Sequence, residues 1–137
     1  MPNDLASALA ISASGMKAQG TRLKIVAQNI ANASSTADKT GGDPYRRKVI
    51  TFANVLDKEL GTRLVEIKSL KEDTSEFRLK YDPNHPAANK EGFVEMPNVN
   101  ALVEMMDMRE AQRSYEANLN MIEASKNMIS KTIGLLR

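Results

Sequence analysis

The chain has 137 residues, of which 42% are hydrophobic and 26% are charged, and its formal net charge is +2. This length allows one compact domain, or one elongated unit with a small appendage, but not two full-sized domains. The near balance of charge excludes a strong field for nucleic acid or an anionic membrane surface. The absence of cysteine excludes disulfides, thiolate metal sites and thiol nucleophiles.

The N-terminal sequence MPNDLASALAISASGMK lacks the basic start and compact apolar core of a cleavable secretory signal. No uncharged apolar run approaches the roughly 18 residues that a membrane-spanning helix requires. We therefore expect a folded protein without direct membrane insertion. If it is exported, it uses a route without a cleavable signal peptide.

The first predicted helix lies within residues 1–34 and carries a seven-residue apolar repeat, which is typical of a coiled-coil seam. The seam positions are Leu5, Leu9, Met16, Leu23, Val26 and Ile30. A neighbouring stripe of small residues, where another backbone could approach closely, consists of Ala6, Ala13, Gly20 and Ala27. A third line lies about 200° around the helix, since each residue turns it by about 100°. That line consists of Ile11, Ala18 and Ile25.

Residues 35–97 are predicted to form a loop and a small β insertion. In SEFRLKYDP, three apolar residues, Phe77, Leu79 and Tyr81, alternate with charged ones, which predicts a half-buried strand. RRKVITF and RLVEIKS predict two further strands, and GFVEM predicts a short fourth strand. The stretches STADKTGGDP and DPNHPAANKEG are rich in turn-forming residues and predict loops.

The second predicted helix lies within residues 98–137, with Asn98 or Asn100 as its N-cap. Its seam positions are Met105, Met108, Tyr115, Leu119, Ile122, Ile129, Ile133 and Leu136. Met121, Met128 and Leu135 form a second apolar line. The predicted fold class is mainly α with a small β insertion. The long N- and C-terminal helices are expected to pair as an antiparallel coiled coil, with a short β-hairpin or small β domain between them.

We expect no catalytic, cofactor-binding or metal site. The single histidine, His85, lies in a predicted turn and has no second His or Cys with which to bind a metal. The serines lack the glycine context of a nucleophile elbow. The GGD sequence is not a phosphate-binding loop, because no strand precedes it and no lysine follows at the required spacing.

Tyr45, Arg46, Arg47 and Lys48 form the one basic cluster. Such a cluster can bind phosphate or nucleic acid, but three charges beside Asp43 are more typical of a solvated strand start or a polar contact to a neighbouring subunit. We expect a contact to neighbours and no nucleic-acid partner.

The amide side chains near the end of the first helix have two interpretations. Asn commonly caps or terminates a helix, which would account for Asn29 or Asn32. Alternatively, Gln28 and Asn32 lie on one helix face and could hydrogen-bond to another helix, which would fix its register.

The apolar surface exceeds what two paired helices can bury, because each helix of a hairpin buries one stripe. Leaving a Leu or Ile in water forfeits about 1.5–3 kcal/mol, so we expect other chains to cover the surplus. The expected intersubunit residues are Ala6, Ile11, Ala13, Ala18, Gly20, Ile25, Ala27, Gln28, Met121 and Met128. Contact between unlike patches is head-to-tail and builds a ring or an open helical assembly.

Five stretches carry a resemblance to a known family. They are SALAISASGMKAQ, IVAQNIANAS, PYRRK, GFVEMPNVN and RSYEANLNMIEASKNMISKTI. The chain resembles the bacterial flagellar basal-body rod proteins, and its short length is similar to that of the proximal rod members. The resemblance implies a structural subunit without enzymatic activity or cofactor. It also implies that the terminal helices pair and line a hollow rod that crosses the periplasm and transmits motor torque to the hook.

The same resemblance implies the partners. They are copies of the chain itself, the related rod proteins FlgB, FlgF and FlgG, the basal-body protein FliE, and the flagellar type III export apparatus during secretion. It implies intersubunit or interhelix contacts for Asn29 and Asn32, with Tyr115, Glu116, Ala117 and Asn118 as their counterparts on the second helix. The terminal segments are expected to be poorly ordered before assembly.

One alternative from a different class stays open on the sequence. A soluble adaptor could pair its helices into a closed coiled-coil dimer or trimer, for which a single seam is enough. The apolar residues on a second face of the first helix argue against that alternative.

Overall fold

Two long helices flank four strands in the computed structural model, which describes residues 2–135 and the side chains of residues 4–135. The elements are α1 (Pro2–Ala31), β1 (Lys48–Asp57), β2 (Thr62–Glu72), β3 (Arg78–Tyr81), β4 (Phe93–Met96) and α2 (Ala101–Leu135). The predicted architecture, mainly α with a small β insertion, is confirmed. The expected seam residue Leu136 lies outside the described residues.

The chain divides into two compact units. The first consists of Met1–Leu23, Thr51–Ser69 and Arg109–Arg137, and the second consists of Lys24–Ile50 and Leu70–Met108. The first unit therefore holds the N-terminal part of α1, the tip of the β1–β2 hairpin and most of α2. The second holds the end of α1, the base of that hairpin, β3, β4 and the start of α2.

The two helices run antiparallel in the first unit. Gly15 lies against the side chain of Asn118, since a Cβ placed at Gly15 would be 2.8 Å from Asn118 Nδ2. Further along α1, Arg22 forms an ion pair with Glu110 at 3.7 Å. Numbers therefore fall along α2 as they rise along α1, which is the expected antiparallel pairing.

The buried line of α2 consists of small or polar side chains rather than large apolar ones. Glu104, Ala111 and Ser125 are 1%, 0% and 2% exposed, and Asn118 of the same seven-residue line is half-buried. Small side chains on this line let α1 approach closely, as it does at Gly15.

The apolar seam expected on α2 is divided between two environments. Met108, Tyr115, Ile122 and Ile129 are half-buried. Met105, Leu119 and Ile133 differ from the expectation, because they are 52%, 39% and 58% exposed. They lie one residue beyond the small polar line, and about 100° per residue turns them away from the buried face.

The β1–β2 hairpin turns at residues 58–61, where Gly61 adopts a φ of 63° that a side chain would strain. Asp57 Oδ1 accepts the N–H groups of Glu59 and Leu60, which fixes the turn. Within the first unit, Val65 N–H of β2 donates to Ser14 Oγ of α1 at 3.3 Å. Strand β2 therefore packs on a face of α1 for which the sequence predicted no partner within the same chain.

Strand β3 pairs antiparallel with β4, with Lys80 opposite Val94 and Tyr81 opposite Phe93. The prediction that β3 is half-buried is wrong, because all four of its residues are exposed and Tyr81 is 65% exposed. The buried residue of this hairpin is Val94, at 1% exposure, on the face that also carries Lys80. The alternating apolar residues of β3 therefore lie on the outer face of the hairpin, where the rings of Tyr81 and Phe93 meet edge to face at a centroid distance of 5.3 Å.

Candidate assembly interface

Asn29 of α1 is fully engaged within the second unit. Its Nδ2 donates to the backbone oxygen of Lys48 at 2.9 Å and to Glu104 Oε2 at 3.1 Å. Its Oδ1 accepts Lys48 N–H and the Tyr45 hydroxyl, both at 2.9 Å. The side chain is 1% exposed and pairs with Lys48 much as a neighbouring strand would. All of its amide's hydrogen-bonding capacity is thus used inside the chain.

Arg47 holds three carboxylates of the second unit around one guanidinium. Its Nε donates to Glu104 Oε1 at 2.5 Å, and its two terminal nitrogens lie 3.4 Å from Asp73 and 3.9 Å from Asp107. Glu104 is 1% exposed, so its charge requires this partner. We refer to Asn29, Arg47, Asp73 and Glu104 as the polar hub.

Two further side chains tie the segment before β1 to the hub. Asn98 Oδ1 accepts Arg47 N–H at 2.8 Å, and its Nδ2 donates to the backbone oxygen of Asp73 at 3.0 Å. Arg46 donates to the same Asp73 oxygen at 3.1 Å and stacks over the Phe77 ring at 4.2 Å. The N-cap of α2 is Asn100, whose Oδ1 accepts Leu102 N–H at 3.1 Å.

The hub shifts the titration of three groups. Burial opposes the charge on Arg47, but hydrogen bonds and charge from Glu104 and Asp73 outweigh it and raise the pKa of Arg47. Burial, followed by the charges of Glu104 and Glu72, raises the pKa of the Tyr45 phenol. Hydrogen bonds from Ser75, followed by the contact with Arg47, lower the pKa of Asp73.

The basic cluster expected to contact neighbours is bound inside the second unit. The Tyr45 hydroxyl and both backbone groups of Lys48 engage Asn29, while the side chains of Arg46 and Arg47 have the partners described above. These contacts form because buried Glu104 and Asn29 need partners, and this segment supplies them. A further contact of this cluster with neighbouring subunits stays a prediction. Asn32 is likewise used locally, because its Nδ2 donates to Gln28 O at 2.8 Å and its Oδ1 accepts the Ser35 hydroxyl.

The expected intersubunit residues of α1 fall into two groups. Ala18, Ile25 and Asn29 are 2%, 6% and 1% exposed, so the chain itself covers them and removes them from a free surface. Exposed residues of the group are Ala6, Ile11, Ala13 and Ala27, while Gly20, Gln28 and Asn32 are half-buried. For Ala18 and Asn29 the reason is that the β insertion packs on α1: Ala18 lines a hollow together with Val65 of β2, and Asn29 donates to the backbone of Lys48 in β1.

One face of α2 keeps an exposed apolar strip in the first unit. Its members are spaced alternately four and three residues apart or at seven, as in a coiled-coil seam, and are Ala117, Met121, Ala124, Met128 and Leu135. The three large side chains of this α2 strip, Met121, Met128 and Leu135, are 53%, 52% and 88% exposed. The expected intersubunit residues Met121 and Met128 therefore lie on a surface, whereas Asn118 is half-buried and donates to Ser114 O.

The described residues offer little for chemistry. None of them forms a group of three or more His, Asp or Glu side chains suited to hold a metal ion. Across the described helices, no segment has both the length and the apolar character for a membrane span.

Sequence reasoning missed Glu104 as the centre of the hub. A glutamate in the first turn of a helix suggests a solvated carboxylate that interacts favourably with the helix dipole. The available signal was its place in the line that also holds Ala111, Asn118 and Ser125, all small or uncharged.

Two family profiles match the two ends of the chain. Residues 9–37 match the family described as flagella basal body rod protein. Residues 90–135 match the family described as flagellar basal body rod FlgEFG protein C-terminal. The matched ranges include most of each long helix and the loop or strand next to it.

Curated relatives cover nearly the whole chain. A flagellar basal-body rod protein FlgC of Agrobacterium fabrum is 51% identical over 97% of this chain and 96% of its own length. Proteins of the same name from Borreliella burgdorferi and Bacillus subtilis are each 38% identical, over 97% and 91% of this chain and 98% and 93% of their own lengths.

Proposed function

The chain belongs to the FlgC family of flagellar basal-body rod proteins, and from this premise we propose that it joins the rod by burying the α2 strip against other subunits. It is a structural subunit of the basal-body rod and not an enzyme. The single observation that carries the proposal is the exposure of Met121, Met128 and Leu135 at coiled-coil spacing on a face turned away from the chain's own core.

The energetics favour a covered strip. Fully burying a Met or Leu side chain contributes about 1.5–3 kcal/mol, so covering the half-exposed Met121 and Met128 contributes roughly 1 kcal/mol each, and covering the more exposed Leu135 contributes more. Spacing of four and three residues suits another helix lying alongside, because that repeat keeps one seam facing a partner helix. Methionine side chains adapt to differently shaped partners, which suits an assembly of related but unequal subunits.

The small stripe of α1 is the counterpart that we propose on another subunit. Ala6, Ala13 and Ala27 are exposed and repeat with the same seven-residue period as Met121, Met128 and Leu135. Large side chains on one helix and small ones on the other allow close approach. Since the two surfaces differ, the contact is head-to-tail and repeats without closing on a pair.

Two exposed surfaces of the second unit are proposed as further contacts. One is the start of α2, where Leu102, Val103, Met105 and Met106 are 46–68% exposed. The other is the outer face of the β3–β4 hairpin, where Leu79 and Tyr81 are 64% and 65% exposed. These lie on different elements, so they can meet different neighbours.

The finer assignment of partners and place is also part of this proposal. The neighbours are copies of the chain and the related rod proteins FlgB, FlgF and FlgG, with FliE at the base, and the subunit reaches the periplasmic rod through the type III export apparatus. The match of residues 90–135 to a profile named for FlgE, FlgF and FlgG supports related neighbours, because it implies a shared form of the C-terminal helix.

Charged substitutions in the α2 strip test the proposal. The variant Met121→Glu/Met128→Glu should fold as the native chain does, because both side chains are already about half exposed. It should fail to restore motility to a strain that lacks its own copy, because two carboxylates would be buried in the contact. Immunoblots of cells and circular dichroism of the purified chain verify abundance and folding.

A matched control changes charge at two exposed residues with the same seven-residue spacing outside the strip. The variant Glu123→Lys/Ser130→Lys should restore motility. Full motility of the Met121→Glu/Met128→Glu strain would overturn the proposal that this strip is an interface.

A further inference from the structure

The methionines of the chain differ in their access to solvent. Among the described side chains, the exposed methionines are Met105, Met106, Met121 and Met128. The half-buried methionines are Met16, Met96 and Met108. A dissolved oxidant reacts with a thioether that it can reach, so the exposed group should react before the half-buried one.

Two of the exposed methionines belong to the α2 strip in the first unit. Met121 and Met128 supply the only sulfur atoms of this strip, because its other members are alanines and a leucine. They lie seven residues apart on one helix face, which is about 10.5 Å along the helix axis. Oxidation of both sulfurs therefore changes the strip at two separate levels and leaves its hydrocarbon members as they are.

We propose that Met121 and Met128 of the unassembled subunit are modification sites for hydroperoxides, and that their sulfoxides prevent the α2 strip from joining another subunit. This inference rests on the proposed function, because it requires the strip to be an interface. The hydroperoxide is the co-reactant that supplies the oxygen atom.

The reaction transfers one oxygen atom and two electrons. A lone pair of the thioether sulfur attacks the terminal peroxide oxygen, so that an S–O bond forms and the O–O bond breaks. The sulfur is oxidised by two electrons and the peroxide is reduced. The proton on the transferred oxygen moves to the departing oxygen, which leaves as water or, from an alkyl hydroperoxide, as an alcohol.

The sulfoxide group makes the strip polar at both positions. Water satisfies the sulfoxide oxygen in the free chain. The proposed counterpart on another subunit consists of Ala6, Ala13 and Ala27, whose methyl groups offer this oxygen no hydrogen-bond donor. A buried acceptor without a partner weakens the contact, so the oxidised subunit should be excluded from the rod.

The same contact protects the two sulfurs after assembly, because a covered thioether is out of reach of the oxidant. The modification therefore acts on free subunits and leaves finished rods intact. It is also reversible, since methionine sulfoxide reductases restore the thioether.

Hydrogen peroxide treatment of the purified full-length chain, followed by peptide mapping with mass spectrometry, tests the reactivity. Met121 and Met128 should be oxidised about threefold or more faster than the half-buried Met16 and Met108. Circular dichroism during the reaction verifies that the helices stay folded. Equal oxidation rates at all four sulfurs in the folded chain would overturn the inference.

The variant Met121→Leu/Met128→Leu is a matched control for the effect on assembly, because leucine is similar in volume and has no sulfur. Each chain is induced in a strain that lacks its own copy at the moment when a sublethal dose of hydrogen peroxide is added, so that every rod is built during the treatment. The number of motile wild-type cells should fall by about half or more relative to untreated cells, and the leucine variant should lose much less. Other oxidised proteins affect both strains equally.

Basal bodies isolated from the treated wild-type cells provide a second measurement that needs no variant. Their Met121 and Met128 should be thioethers, whereas subunits outside the rods should carry sulfoxides. Equal loss of motility in both strains, or rods that carry both sulfoxides, would overturn the inference. The motility of the Met121→Glu/Met128→Glu strain separates this outcome from failure of the proposed interface, which stands if that strain is non-motile and falls if it swims.

Discussion

Glu104 is a charged side chain that the fold buries almost completely, at 1% exposure, and it depends on Arg47 and Asn29 for compensation. A hydrogen-bonded carboxylate of this kind adds little stability by itself, because desolvation offsets its attraction to the guanidinium. It does restrict the arrangement of the second unit. Asn29 comes from α1, Arg47 precedes β1, and Glu104 belongs to α2.

Removing one member of this ion pair should therefore destabilise the protein strongly. Arg47→Ala leaves the Glu104 carboxylate buried without its cation, and we expect a loss of about 3 kcal/mol in the free energy of unfolding. Urea denaturation at neutral pH measures the loss. The double variant Arg47→Met/Glu104→Met should be less destabilised than Arg47→Ala. A stability change in Arg47→Ala within about 0.5 kcal/mol, as for a surface substitution, would contradict this account of the hub.

Asp73 gives the hub a defined dependence on pH. Hydrogen bonds from Ser75 and the contact with Arg47 lower the pKa of Asp73 below its ordinary value of 3.8. Because the folded-state pKa is depressed, its contribution to stability is present above about pH 4 and is lost as the pH falls below that value. Asp73→Asn should thus be less stable than the native chain at about pH 7, and the difference should narrow at about pH 3.

Urea titrations of both proteins at the two pH values measure this effect. The variant Asp57→Asn is a control outside the hub, since Asp57 accepts two N–H groups of the hairpin turn and an Asn side-chain oxygen can accept the same groups. A stability gap for Asp73→Asn that is equal at both pH values would mean that its charge does not stabilise the hub.

At the scale of elements, the close contact of α1 with α2 depends on a single glycine. A Cβ at Gly15 would lie 2.8 Å from Asn118 Nδ2, and that amide is held in place by its bond to Ser114 O at 2.9 Å. A Cβ at Gly20 would lie 3.9 Å from the Tyr115 ring, which is ordinary contact. The two glycines are five residues apart on the same helix and differ in the space that they leave.

The pair yields opposite predictions for the same substitution. Gly15→Ala should destabilise the chain by about 1–3 kcal/mol, because overpacking outweighs the gain in helix propensity. Gly20→Ala should be neutral or stabilising by up to about 1 kcal/mol, because alanine is the better helix former. Thermal unfolding of both variants measures the difference. Partial recovery in Gly15→Ala/Asn118→Ala would identify Asn118 as the cause, whereas equal effects at both glycines would contradict the contact.

The helices and strands could be predicted because their signals are local. The heptad repeat, the N-cap predicted at Asn98 or Asn100 and the turn-rich loops indicated two long helices and four strands near their observed bounds, and the observed cap is Asn100. Which face of each helix is buried could not be predicted equally well. Burial of Glu104 depends on Arg47, 57 residues earlier in the chain, and burial of Asn29 depends on its bonds to Lys48 of β1, 19 residues later. Pairing between residues that are far apart in the chain produces no periodic pattern in the sequence.

At the scale of the whole molecule, the chain buries part of the apolar surface that the sequence predicted to be free on α1, and the apolar line predicted on α2 stays exposed. The β insertion covers Ala18, and Ile25 is also buried, whereas Met121, Met128 and Leu135 stay exposed along α2. An open face on one helix and a small stripe on the other provide two unlike surfaces on every copy. This is the condition for a repeating head-to-tail assembly rather than a closed pair.

Disulfide crosslinking in motile cells tests this claim most directly, because the native chain has no cysteine. Two differently tagged copies are expressed together, one carrying Met121→Cys and the other Ala13→Cys. The control pair replaces Met121→Cys with Glu123→Cys, which is exposed on another face of the same helix. The account predicts a mixed disulfide dimer in isolated basal bodies for the first pair and little for the second. Absence of that dimer from assembled, motile rods, or equal crosslinking of both pairs, would contradict it.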